Sequence, residues 1–122
     1  MAVLAEAALS DLERRALEAM VGALRERFGE DLVAIWLYGS RARGESHPES
    51  DVDVLVVFRD ADWRRQHDVK NLAWDAVEAV GASSAYFSIV VDTPEWIEGR
   101  RAIESFFLQE VDRDKIVLYG EP

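Results

Sequence analysis

Cysteine is absent from this sequence of 122 residues, so disulfide bonds, thiolate zinc sites and cysteine nucleophiles are all excluded. Glycine and proline are scarce, with 7 and 3 copies, which excludes collagen-like and low-complexity chains. No apolar run approaches the roughly 20 residues needed to span a bilayer, and no charged-then-apolar leader opens the chain. We therefore expect a globular protein of the reducing cytoplasm that is neither secreted nor inserted in a membrane.

Basic residues are also few relative to acidic ones. The chain has 24 acidic and 14 basic residues, a formal net charge of −10, so a nucleic-acid backbone would be repelled and we do not expect general DNA or RNA binding. Only 2 of the basic residues are lysine. The other 12 are arginine, whose planar fork of donors suits phosphate and carboxylate groups.

The length fits one domain, 1–122, and the 49% of apolar residues is enough for a single core. Helical periodicity predicts helices at about 11–28, with a capping box at its start, at 62–80, and after a cap at 93. Strands are predicted over Leu32–Tyr38, Asp51–Phe58, Tyr86–Val91 and Ile116–Tyr119. This alternation predicts an α/β (α+β) fold, with a mixed or mostly parallel sheet flanked by helices. The acids between 95 and 114 are expected to form mostly a solvated face.

The first segment with chemical potential follows the first predicted strand. That strand ends in Gly39 and Ser40, and Arg41 and Arg43 come immediately after. Glycine lets the backbone approach a phosphate closely, and the arginines can add charge-assisted hydrogen bonds. The segment is therefore a candidate anion-binding turn, although a Gly-Ser pair taken alone is equally typical of an ordinary turn.

The second segment is Asp51 and Asp53 at the head of the next strand. Residues two apart on a strand lie on the same face, with Cα atoms about 7 Å apart, so both carboxylates can converge on one ion. Two such charges on a mostly buried strand repel each other and resist desolvation unless a cation lies between them. Oxygen ligands of this kind are those that Mg²⁺ prefers, together with the phosphate oxygens of a nucleotide. For either aspartate alone, a surface acid at a strand end is the simpler interpretation.

Together, Gly39-Ser40-Arg41-Ala42-Arg43-Gly44-Glu45 and Ser50-Asp51-Val52-Asp53 resemble the nucleotidyltransferase superfamily that includes DNA polymerase β. The pattern is most similar to its minimal nucleotidyltransferases, the MNT group. The tight resemblance covers about 20 residues of the chain, and the flanking elements agree with it loosely.

This resemblance implies an ATP or other nucleoside triphosphate whose β- and γ-phosphates lie on Gly39 and Ser40. Asp51 and Asp53 would be the catalytic residues and would hold Mg²⁺, while Arg41 or Arg43 would offset charge on the triphosphate. An acceptor hydroxyl would receive the nucleotidyl group.

One position departs from the superfamily, which commonly supplies a third carboxylate from the next core strand. Here that strand has Tyr86 and Ser88 at the mid-strand positions, and neither can replace a carboxylate. Asp92 lies on the same face as Ser88 but roughly 13 Å along the strand, where a strand-end acid is the better interpretation. Transfer activity is therefore less firmly predicted than binding of nucleotide and metal.

Three functions remain open from the sequence. The first is a nucleotidyltransferase acting on a helical HEPN-type toxin, which the resemblance implies as the partner and which would make this chain an antitoxin. The second is a degenerate module that neutralises such a partner by occlusion, without chemistry. The third is a transferase acting on a small hydroxyl compound. The sequence leaves both homo- and hetero-oligomers open.

Overall fold

The computed structural model describes residues 7–45 and 50–122 of the chain. In that part, the helices are α1 (Asp11–Phe28), α2 (Gly39–Ala42), α3 (Trp63–Ala79), α4 (Pro94–Ala102) and α5 (Phe106–Asp114). The strands are β1 (Leu32–Tyr38), β2 (Val52–Phe58), β3 (Phe87–Asp92) and β4 (Ile116–Gly120). Short 3₁₀ turns, Gly29–Asp31 and Ser84–Tyr86, lead into β1 and β3.

The four strands form one mixed sheet in the order β3-β2-β1-β4. Strand β2 runs parallel to β3, whereas β1 is antiparallel to both β2 and β4. The prediction of a mixed sheet is confirmed, and the alternative of a mostly parallel sheet is wrong. The one parallel pair is β2 and β3, which helix α3 connects, whereas β1 is antiparallel to both of its neighbours.

Both faces of the sheet are buried. On one face, residues of α1 and α3 form a cluster with the even-numbered residues of β2, from Val52 to Phe58. On the other face, Ile97 of α4 and Leu108 and Val111 of α5 pack against a set from β1 and β2, namely Ala34, Trp36, Tyr38, Leu55 and Val57. Because side chains alternate along a strand, Asp53 belongs to this second face, which α4 and α5 cover.

Most predicted elements are confirmed to within a residue. Helix α1 begins with the expected capping box, in which Ser10 and Glu13 exchange hydrogen bonds of 2.8 and 3.1 Å. Thr93 caps α4. The polar loop expected around Pro48 lies outside the described residues. Among those residues, no helix combines the length and the apolar character needed to cross a bilayer.

Helix α5 is a packed element that the sequence prediction missed. The expectation of a solvated acidic face is wrong for Asp114, which is 3% exposed. Its carboxylate accepts hydrogen bonds from Arg43 and Arg113, and these compensate for its burial. Leu108 and Val111 bury the same helix against the sheet, so α5 is a packed element and not a charged surface segment.

Candidate functional site

The two predicted segments meet where β1 ends and β2 begins. Tyr38 pairs with Asp53 in the antiparallel register, and the chain turns at Gly39 directly beside that pair. Gly39 has φ +79°, and a Cβ atom added there would collide with Oδ2 of Asp53 and lie 3.3 Å from its Cγ. The absence of a side chain at Gly39 therefore leaves room for the Asp53 carboxylate.

We expect Gly39→Ala to disrupt this corner more than an ordinary glycine substitution. A left-handed backbone costs a residue with a side chain roughly 1–2 kcal/mol, and the new Cβ would also displace the Asp53 carboxylate. Urea unfolding and titration of Mg²⁺-ATP measure the two effects. Gly22→Ala is the matched control, because Gly22 lies inside α1 with nothing within 4 Å of the position that a Cβ would take, and alanine there favours the helix. Equal stabilities of the two variants would contradict this account.

The ionised form of the Asp53 carboxylate is disfavoured in the protein alone. Burial, together with the negative charges of Asp51 and Glu110, raises its pKa to about 6, and Arg41 opposes this rise. No residue in the described part of the chain compensates it with a hydrogen bond. Asp51 is exposed at the mouth of the same corner. A cation bound between the two carboxylates would relieve both the repulsion and the unfavourable burial.

The donor set fits a magnesium ion brought in with a nucleotide. Within residues 7–45 and 50–122, no three or more His, Cys, Asp or Glu side chains are grouped so that they could hold a metal. Asp51 and Asp53 are the carboxylates that the sequence predicts for such an ion, and the charge of Asp51 acts on Asp53. One or two carboxylates completed by phosphate oxygens and water is the usual magnesium arrangement.

Arg41 occupies a position that the sequence did not predict. Its Nε donates to Ser50 Oγ at 2.9 Å and its Nη2 donates to the Ser50 carbonyl at 3.2 Å. Its Nη1 donates to the Ala8 carbonyl at 2.9 Å and to Glu13 at 2.8 Å. Arg41 thus ties the start of α1 to the residue before Asp51. These contacts with described residues use four of its five N–H groups and leave one donor for a nucleotide.

Arg43 is also paired within the protein. Its Nη1 donates to Asp114 at 2.6 Å and its Nη2 donates to Glu45 at 3.3 Å. Burial raises the pKa of Asp114, but the hydrogen bonds from Arg113 and Arg43 outweigh it and hold that pKa below its usual range. Arg43 thus connects α2 to α5. Ser40, directly before Arg41, is half-buried at the turn.

Strand β3 places Ser88 beside Asp53, at the position where a third carboxylate was sought. Asp92 pairs with Val57, four residues further along the sheet, so it lies about 13 Å from Ser88. The interpretation of Asp92 as a strand-end acid agrees with this register. Neither residue gives the site another carboxylate.

Glu110 is an acid whose charge acts on the site and whose role the sequence analysis missed. It lies on α5, where Phe107 packs edge-on against Tyr38 with ring centroids 5.5 Å apart. Burial is the main cause that raises the pKa of Tyr38 and of Asp53. An aspartate comes next in each case, Asp53 for Tyr38 and Asp51 for Asp53, and the charge of Glu110 adds to both. The helical spacing of Phe107, Leu108 and Val111 is the signal that could have placed this acid on a helix over the site.

Comparison of the sequence with known families finds that the nucleotidyltransferase domain family matches residues 17–120. Two predicted protein adenylyltransferases of Methanocaldococcus jannaschii are among the similar proteins. One is 41% identical over 49 residues, 40% of this chain and 33% of the relative. The other is 40% identical over 45 residues, 37% of this chain and 45% of the relative. The matched segments thus span less than half the length of these relatives.

Solved structures with the same fold include two toxin–antitoxin complexes. One contains AMP-PNP and has a TM-score of 0.57 at 20% identity, covering 85% of this chain and 73% of that one. The other is an MntA–HpeT complex with two aspartates changed to glutamate, with a TM-score of 0.56 at 19% identity and the same coverage. A spectinomycin adenyltransferase from Enterococcus faecialis, bound to ATP and spectinomycin, has a TM-score of 0.57 at 16% identity over 89% of this chain and 56% of that one. At identities of 16–20%, these likenesses show the fold alone.

Proposed function

We propose, from the premise that the chain belongs to the nucleotidyltransferase domain family, that it transfers a nucleotidyl group from ATP to a hydroxyl of a partner protein and thereby acts as an antitoxin. The observation that carries the proposal is the corner formed by Gly39, Asp51 and Asp53. It combines two carboxylates whose charges repel each other, one of them half-buried, with a glycine turn that has no side chain beside Asp53.

Asp51 and Asp53 would hold Mg²⁺ in this proposal, and the ion would neutralise charge on the triphosphate when bound. Gly39 and Ser40 leave the space beside Asp53 open to phosphate groups. Arg41 keeps Ser50, and with it the start of the Asp51 segment, at a fixed distance from the turn. The chain itself thus supplies the ligands and their spacing, while the nucleotide completes the site.

The acceptor is proposed to lie on a helical HEPN-type toxin. Support comes from the toxin–antitoxin complexes that share the fold and from the predicted protein adenylyltransferases among the sequence relatives. The net charge of −10 also favours a basic protein partner over a nucleic acid.

Incubation with labelled ATP, Mg²⁺ and the toxin from the adjacent reading frame tests the proposal. We expect label on the toxin with the native chain and none with the Asp51→Asn/Asp53→Asn double variant. Titration calorimetry should show a matching loss of Mg²⁺-ATP affinity in that variant. Toxin that is neutralised without acquiring label, by a chain that does not bind Mg²⁺-ATP, would contradict the transferase.

Occlusion is the second candidate function, and Ser88 is the observation that favours it. The residue beside Asp53 on β3 is a serine, so the strand offers no further carboxylate for catalysis. A binding module would neutralise the toxin equally well with the native chain and with the double aspartate variant. The labelling experiment therefore distinguishes the two functions.

A further inference from the structure

Nucleotidyl transfer requires a group that accepts a proton. The acceptor hydroxyl oxygen forms a bond to the α-phosphorus, the bond between that phosphorus and the pyrophosphate oxygen breaks, and the hydroxyl proton must go to a base. We propose that this base is Glu110, supplied by helix α5, an inference that rests on the proposed function. The proton passes to the Glu110 carboxylate while pyrophosphate leaves with the electron pair of the broken bond.

The packing of α5 directs Glu110 towards the site. Phe107, Glu110 and Asp114 are spaced by three and four residues, so they share one face of the helix. Contacts fix both ends of this face. Phe107 packs against Tyr38, the register partner of Asp53, and Asp114 accepts a 2.6 Å hydrogen bond from Arg43. Glu110 lies between these two contacts, next to the corner where β1 ends.

The electrostatics of the corner agree with this placement. The charge of Glu110 acts on Tyr38 of β1 and on Asp53 of β2, which come from two different strands. Among the described residues, its own ion-pair partner is Arg113, one turn further along α5, at 3.9 Å. That distance is long for an ion pair, and the Glu110 side chain is 42% exposed. The carboxylate is thus close to the site and reachable by an acceptor from solution.

Other nearby acids are less suited to accept a proton. Asp114 is buried and bridged by two arginines, and Glu45 is paired with Arg43. Asp92 lies at the far end of β3, beside Val57. Among these carboxylates, Glu110 is the one that combines nearness to Asp53 with a weak ion pair and partial exposure.

The structure also separates this role from metal binding. Glu110 does not join Asp51 and Asp53 in any three-residue group able to hold a metal, within the ranges 7–45 and 50–122. Its loss should therefore leave the binding of Mg²⁺-ATP intact and slow only the chemical step.

The test compares Glu110→Gln and Glu110→Ala with the native chain in the complete mixture of toxin, Mg²⁺ and labelled ATP. We expect Glu110→Gln to slow label transfer by about 10²- to 10⁴-fold, the usual contribution of a general base, with Mg²⁺-ATP affinity within about threefold of native. Formate, a small external carboxylate, should partly restore transfer by Glu110→Ala and leave the native rate unchanged. Glu104→Gln, an exposed acid at the turn before α5, is the matched control and should transfer at the native rate.

Transfer by Glu110→Gln close to the native rate would overturn the assignment, as would a loss of transfer that is fully explained by weaker Mg²⁺-ATP binding. Melting curves identify a variant that fails to fold, and formate rescue of Glu110→Ala then decides the question in a folded protein. Absence of label with the native chain would contradict the proposed function itself. The two failures are therefore distinguishable.

Discussion

We expect Asp53→Asn to slow nucleotidyl transfer severely while making the metal-free protein more stable. The carboxylate is a proposed Mg²⁺ ligand, and losing the charge stabilisation of a bound metal costs several kcal/mol in the transition state, a decrease in rate of about 10³-fold or more. In the protein alone the same carboxylate lowers the free energy of unfolding, because burial and the charges of Asp51 and Glu110 disfavour its ionised form.

The stability effect of Asp53→Asn should depend on pH in a defined direction. The pKa of Asp53 is about 6 in the folded protein, and about 3.9 in an unfolded chain. Between these values the folded state binds more protons, so this residue's contribution to stability is lost as pH rises from about 4 to 6. Asparagine does not titrate. The variant should therefore match the native protein near pH 4 and exceed its unfolding free energy by about 1–2 kcal/mol above pH 6, since solvent screens a half-buried charge.

Urea unfolding in the presence of EDTA, at pH 4.5 and pH 7.5, measures this difference. Asp60→Asn is the matched control, because Asp60 is exposed just beyond the other end of β2. It should leave transfer unchanged and stability within about 0.5 kcal/mol of native at both pH values. An Asp53→Asn protein that transfers at the native rate, or is less stable at pH 7.5, would show that this carboxylate is structural.

The fold could be predicted from the sequence wherever one local pattern decided the structure. The capping box at Ser10 and the apolar run of β1 specify their elements through nearest neighbours alone, and both are confirmed. Helix α5 was missed because it is short and because the acids of its second half, Glu110, Asp112 and Asp114, suggest a solvated surface. Burial of Asp114 depends on Arg43, 71 residues away in the chain, and no local pattern contains that pairing.

For the candidate site, the sequence predicts which segments lie together but not how every side chain is paired. The register places Asp53 beside Tyr38 and next to Gly39, as expected where the ends of two adjacent strands meet. The joint role of Gly39, Asp51 and Asp53 in binding stays a prediction. The partners of Arg41 were not predictable. An arginine after a Gly-Ser turn suits a phosphate and a carboxylate equally well, and only the packing of α1 against the turn brings Glu13 to it.

Arg41→Met is the second substitution with a large expected effect, and it should lower the free energy of unfolding. Sequence alone suggests an anion-binding side chain whose removal leaves stability unchanged. In the structure, however, the Arg41 side chain is 11% exposed and its ion-pair partner Glu13 is 19% exposed. Removing one member of a largely buried, hydrogen-bonded charge pair leaves the other charge and the Ser50 and Ala8 carbonyls without their donor.

We expect Arg41→Met to lower the unfolding free energy by about 2–4 kcal/mol, which corresponds to a fall in Tm of about 10 °C for a domain of this size. Arg15→Met is the matched control, an exposed arginine on α1, and should change stability by less than about 0.5 kcal/mol. A double-mutant cycle with Glu13→Gln isolates the pairwise part, since glutamine can still bond to Ser10. A coupling energy above about 1 kcal/mol is expected.

Nucleotide binding should weaken in Arg41→Met for an indirect reason. Arg41 fixes Ser50 through both its hydroxyl and its carbonyl, so without it the Asp51 segment loses its spacing from Gly39. This weaker nucleotide binding must accompany the loss of stability. Ser50→Ala should reproduce part of it, because that variant removes the hydrogen bond from Arg41 to the Ser50 hydroxyl without removing a positive charge. An Arg41→Met protein as stable as native that nevertheless fails to bind Mg²⁺-ATP would instead make Arg41 a direct phosphate ligand, acting through the one N–H group that its contacts with the described residues leave unused.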